Sequence, residues 1–130
     1  MEHMRDYQRM KNNYWIIPHN IYMMTLYFIR SIDELEDEYN TIMESSPEPV
    51  KGPKGTKPGD PTAMKAERLE KVHDSIQIIK SSLNKVPEEY REEVWSNIID
   101  REPFDVLKQR TLSRHKARYI REVAERKGFL

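Results

Sequence analysis

The chain has 130 residues, 37% of them hydrophobic, and contains no cysteine. That length supports one domain, or one domain with an arm, and the lack of cysteine excludes a disulfide framework and a thiolate metal site. The formal net charge of +0 conceals a division: residues 1 to 100 hold 13 Lys/Arg against 18 Asp/Glu, whereas residues 101 to 130 hold 9 against 4. The pattern is that of an acidic body with a basic working end.

Low hydrophobic content suits long, two-sided helices around a thin core, so an all-α fold is expected. His3, His19, His73 and His115 stand far apart and form no ligand pair at helical spacing; no metal and no cofactor are expected. There is no recognisable signal peptide and no apolar run long enough to span a bilayer. A cytoplasmic protein without a membrane partner is the expectation that follows.

Residues 1 to 18 read as an N-terminal arm or short helix, with Met4, Tyr7, Met10 and Tyr14 at helical spacing. The cluster Tyr14-Trp15-Ile16-Ile17 is too apolar to leave wet, and Pro18 then pushes the preceding residue out of the α region. Asn20 is a suitable N-cap. From there Ile21, Met24, Phe28, Ile32, Leu35, Tyr39 and Ile42 advance by threes and fours, predicting one amphipathic helix of about six turns. The acids Asp33, Glu34, Glu36, Asp37 and Glu38 form its wet face; five carboxylates within six residues do not make the desolvated pair that acid–base chemistry needs.

Residues 45 to 61 carry five prolines and three glycines, with Val50 as the one larger aliphatic. Such a stretch cannot bury enough apolar surface to offset its ordering entropy, and a flexible tether is expected. Thr62 is then placed to cap a second long helix with Leu69, Val72, Ile76, Ile79 and Leu83 as its stripe. Two matching stripes predict an antiparallel helical hairpin over residues 19 to 86, with Phe28, Ile32 and Leu35 against Ile76, Ile79 and Leu83. Asn84 reads as a terminator. Pro87, in the first turn, restarts the chain as a helix with Tyr90, Val94, Trp95, Ile98 and Ile99 inside, ending before Pro103.

Lys108 to Arg121 is the most pointed stretch, with six Lys or Arg and no Asp or Glu. At about 100° per residue, Arg110, Arg114, Arg118 and Arg121 fall near one line, and Leu112, Tyr119, Ile120 and Val123 fall on the other side. Guanidinium groups are permanent charges whose planar forks match phosphate oxygens and the O6/N7 edge of guanine. The proposed roles follow from position. Arg114 and Arg118, central and near the helix start, would reach base edges; Lys108, Arg110 and Arg121 would touch phosphates; Thr111 or Ser113 would cap the N-terminus. Phe104 and Leu107 are expected as a wedge against Trp95 and Ile99. Residues 87 to 130 thus outline a helix-turn-helix-like pair, with little room for a full supporting helix between Asp100 and Arg110.

The runs Val86-Pro87-Glu88-Glu89-Tyr90-Arg91, Asn97-Ile98-Ile99, Thr111-Leu112-Ser113-Arg114-His115-Lys116 and Tyr119-Ile120-Arg121-Glu122-Val123-Ala124 resemble the C-terminal half of the RinA/ArpU-type phage transcriptional regulators. The likeness extends upstream and covers roughly residues 20 to 130. It implies a helical protein ending in a helix-turn-helix similar to region four of bacterial sigma factors and acting on phage late-gene promoters. Thr111 to Arg121 would be the recognition helix and Pro87 to Ile99 its support. The partner implied is double-stranded DNA; RNA polymerase, or self-association through the hairpin, is a further candidate.

Duller roles are assigned beside these. Lys116 lies near the apolar arc and suits a snorkelling stem. His115 reads as a surface histidine, and Trp95 and Tyr119 as core. Met23, Met24 and Met43 read as core fillers or a partner surface. With no nucleophile–base pair or Gly-rich phosphate loop, the chain does not read as an enzyme. The competing reading is a helical protein-interaction module without nucleic-acid binding, its partner held on the hairpin.

Overall fold

A computed structural model describes Gln8, residues 15–45 and residues 61–130. The expected N-terminal helix and almost all of the expected tether lie outside the described residues. Among the described residues there are five α-helices and no strand: α1 His19–Arg30, α2 Ile32–Glu44, α3 Pro61–Ser81, α4 Glu88–Ile99 and α5 Gln109–Lys127. The fold is all-α, as composition and periodicity require. No described helix is long and apolar enough to cross a membrane.

The first departure from expectation is at Ser31, where the single helix foreseen from Asn20 to Ile42 divides into α1 and α2. The Ser31 N–H is shared between the Tyr27 and Phe28 carbonyls at 3.1 Å each, and its ψ opens to 7°. Its hydroxyl donates to the Phe28 carbonyl at 2.6 Å. A serine bonded back onto the preceding turn competes with the helical ladder and bends it. Periodicity passes through such a bend unchanged, which is why the stripe read as one helix.

The bend sends the two halves to different partners. α2 packs along α3, whereas α1 packs against α5 and α4. Glu36 meets Lys80 at 2.9 Å, Tyr39 lies beside His73, and Ser45 accepts a hydrogen bond from Lys65. These pairs climb α2 while descending α3, so the two helices run antiparallel. Phe28, expected on that seam, instead meets Phe129 edge-on at 5.8 Å beyond the end of α5, under the Lys127 ammonium.

Helix ends also differ from expectation. α1 starts at His19 behind Pro18, so Asn20 is already inside the helix; the Tyr22 N–H closes the first turn on the Pro18 carbonyl at 2.9 Å. α3 gives way to a 3-10 turn over Ser82–Lys85, so the expected terminator Asn84 lies past the α-helix proper. After α4, Arg101 takes the left-handed conformation at φ 57°. The Asp100 and Glu102 N–H groups both return to the Ser96 carbonyl, a closure that usually uses glycine.

The core lies where α1, α4, α5 and the end of α3 converge. Leu26, Ile29, Ile79, Val86, Val94, Ile98, Leu112, Tyr119, Val123 and Ala124 are all buried there. Polar ties cross it. The Tyr119 hydroxyl donates to the Ile79 carbonyl at 2.7 Å, and burial pushes its pKa well above the ordinary 10.0. Arg30 reaches from α1 to the Ile98 carbonyl at 2.7 Å, closing the C-terminal end of α4.

Candidate nucleic-acid interface

α5 is held by the face expected. Leu112, Tyr119, Ile120 and Val123 are buried, joined by Lys116, Ala117 and Ala124. Lys116 is therefore more deeply placed than a snorkelling stem. With that face turned inward, Arg110, Thr111, Arg114 and Arg118 stand exposed on the other, while Ser113 and Arg121 are half-buried at its flanks.

The basic residues then divide along the helix. Toward the C-terminus they are occupied: Arg121 pairs with Glu125 at 3.0 Å, Arg126 donates to the Ser81 and Ser82 hydroxyls, and Lys127 reaches Ser75. Toward the N-terminus they are less so. Among the described residues, Arg110 and Arg114 meet no carboxylate, and Lys108 has only a long 3.4 Å contact to Glu93. Arg118 lies over the Trp15 ring at 5.2 Å, a contact that orders the guanidinium through its charge.

The start of α5 is electrostatically unusual. Helix N-termini carry partial positive charge and favour acids in the first turn; here that turn has no acid, contains Arg110, and has Lys108 at the cap. Neither Thr111 nor Ser113 caps it, because the helix begins at Gln109 and no side chain bonds its first N–H groups. The capping expected of those two residues is thus corrected. The turn ahead is closed by Asp105, whose carbonyl accepts from the Lys108 N–H at 2.9 Å and whose Oδ1 accepts from the Leu107 N–H at 3.0 Å.

The connection between α4 and α5 is anchored rather than loose. Asn97, buried in α4, donates to the Glu102 carbonyl at 2.8 Å, and Phe104 packs against the core. Leu107 does not: it is 93% exposed, so the expected wedge of Phe104 with Leu107 does not form. Glu92, Glu93, Glu102 and Asp105 line a groove with Ser96, Pro103 and Phe104, and Glu93 is also the carboxylate that Lys108 meets at 3.4 Å.

His115 is half-buried and stacks on Tyr90 at 5.2 Å. Burial first, then the charges of Arg114 and Arg118, hold its pKa below 6.5 against the opposing pull of Glu89. Both effects favour the neutral imidazole. Sequence reasoning missed Trp15 as a neighbour of Arg118. The cluster before Pro18 announced that Trp15 would dock, but no spacing says on which helix. The Asp105 turn did have a signal, an aspartate two residues before the amide it binds.

No family model, no curated protein and no solved structure matches the chain.

Proposed function

We propose that the protein binds duplex DNA through the exposed face of α5, as a transcription regulator of the phage type that its C-terminal motifs resemble. One observation carries the reading. Arg110 and Arg114 stand exposed, without a carboxylate among the described residues, at a helix start whose own dipole opposes them. A sequence that breaks a local stability rule at one exposed place usually does so for a ligand. A phosphate backbone answers that charge, and a groove accommodates a helix backed by a packed core.

The test is a titration of labelled duplex at about 50 and 200 mM salt, across which several phosphate contacts should weaken affinity by orders of magnitude. Replacing Arg114 with Ala should cost about 1–3 kcal/mol on the preferred sequence and relax its selectivity. Replacing Arg110 should weaken all sequences alike and lower the salt slope by about one unit. Duplex binding absent at the lower salt rejects the proposal.

The second reading, a helical protein-interaction module, draws on a different surface. Met24, Tyr27, Met43 and Met64 are between 46% and 60% exposed along α1, α2 and α3. Stable association with a protein partner, unchanged by loss of Arg110 and Arg114, would favour it.

A further inference from the structure

Val106 and Leu107 are the most exposed large aliphatic side chains among the described residues, at 82% and 93%. Their exposure does not come from a loose loop. The turn that carries them is tied on both sides, with the Leu107 N–H on the Asp105 carboxylate and the Lys108 N–H on the Asp105 carbonyl. The Lys108 carbonyl in turn accepts from the Leu112 N–H at 2.9 Å, so the turn runs directly into α5. Two aliphatic side chains are therefore presented at the same end of the molecule as Arg110 and Thr111, with Lys108 next in the chain.

A ligand for this end must offer negative charge to Arg110, which unlike Lys108 meets no carboxylate among the described residues, and an apolar group to Val106 and Leu107. An apolar protein surface satisfies the second demand and fails the first. Duplex DNA satisfies both, because its major groove shows one outward apolar group, the thymine 5-methyl, between two rows of phosphates. We propose that Val106 and Leu107 cover thymine methyl groups, so that this protein prefers thymine at positions beside those met by the start of α5. The inference rests on the duplex-binding reading above and adds the base it selects. Burying one methyl-sized group raises affinity about fourfold.

The experiment removes only that group. The full chain is titrated at one low salt concentration with poly(dA·dT) and with poly(dA·dU), which differ by the 5-methyl, alongside a Val106→Ala/Leu107→Ala double variant. Both side chains are exposed, so the variant should keep the wild-type urea midpoint, and that is measured first. The expected result is a preference for the thymine duplex of about fourfold for each methyl covered. The double variant should lose this preference while keeping its salt slope, since no phosphate contact has changed. Equal affinity of the wild type for both duplexes overturns the inference and leaves duplex binding standing, as does a preference that survives in the variant. In that case the two side chains face something else, such as a protein partner. Binding to neither duplex overturns the duplex-binding reading and the inference together.

Discussion

The molecule has two regions built from the same kind of apolar stripe and packed to different depths. In the arm, where α2 lies on α3, Ile42, Val72 and Ile76 keep 4–8% of their surface, and Leu35, Tyr39 and Leu69 are half-buried. In the body, where α1, α4 and α5 meet the end of α3, Leu26, Ile29, Val94, Ile98 and Leu112 are at 0%. Two cylinders in contact bury a strip, whose edges stay wet. A third and a fourth helix close those edges. The depth of a stripe's burial is thus set by how many neighbours it finds, and the basic face of α5 is mounted on the deeper of the two regions.

The comparison predicts unequal responses to equal truncations. Leu112→Ala, in the body and directly behind the arginine row, should cost about 2–5 kcal/mol and leave a cavity that neighbours cannot fill. The upper end of that range reaches the lower end of the stabilities usual for a domain, about 5 kcal/mol. Ile76→Ala in the arm should fall near the low end of that range, about 2 kcal/mol, because its surroundings can relax toward solvent. Urea midpoints for the two variants decide the matter; equal shifts would mean that the arm is not the weaker region. Amide exchange sharpens the same point, with α2 expected to open ahead of α4 and α5.

Smaller effects probe the joints. Tyr119→Phe removes the hydroxyl that ties α5 to the Ile79 carbonyl and should cost about 1–1.5 kcal/mol with no change in shape. A neutral result would show that packing alone seats α5. The smallest effect is that of His115, on the seam between α4 and α5. Its pKa lies below 6.5 in the folded protein, chiefly through burial. The unfolded chain therefore takes up the proton first as pH falls. Stability fully present above the unfolded value is lost as pH drops through the folded one. His115→Gln should flatten that part of the acid slope in urea midpoints measured from pH ~7 to ~5. Parallel slopes for the two proteins would show that the seam leaves His115 effectively solvated.

These contrasts separate what was legible from what was not. The stripe on α5 was readable because Leu112, Tyr119, Ile120 and Val123 recur on one side of a helix, and burial of that side places Arg110, Arg114 and Arg118 outside. The stripe from Ile21 to Ile42 was equally readable as helical, yet its course was not. The hydroxyl of Ser31 turns the chain there, and a serine on a helix surface has no pattern that distinguishes a bend from a bystander. Leu107 misled for a related reason. An isolated leucine beside a phenylalanine reads as core, and only the Asp105 turn directs it outward.

Helical class, the inner and outer faces of α5, and the concentration of positive charge after residue 100 were determined by the sequence itself. Each depends on the order of residues over a few turns, where geometry is local and periodic. α1, by contrast, buries Tyr22, Thr25, Leu26 and Ile29 and leaves Met24 of the expected stripe 46% exposed. What α1 meets was decided only in three dimensions: it packs against α5 and α4, with Trp15 beneath Arg118. Apolar faces are interchangeable in their attraction for one another, because burial rewards area and not identity. The choice among partners falls to bends, caps and single polar ties such as those of Ser31, Arg30 and Tyr119, which act between residues far apart in the chain.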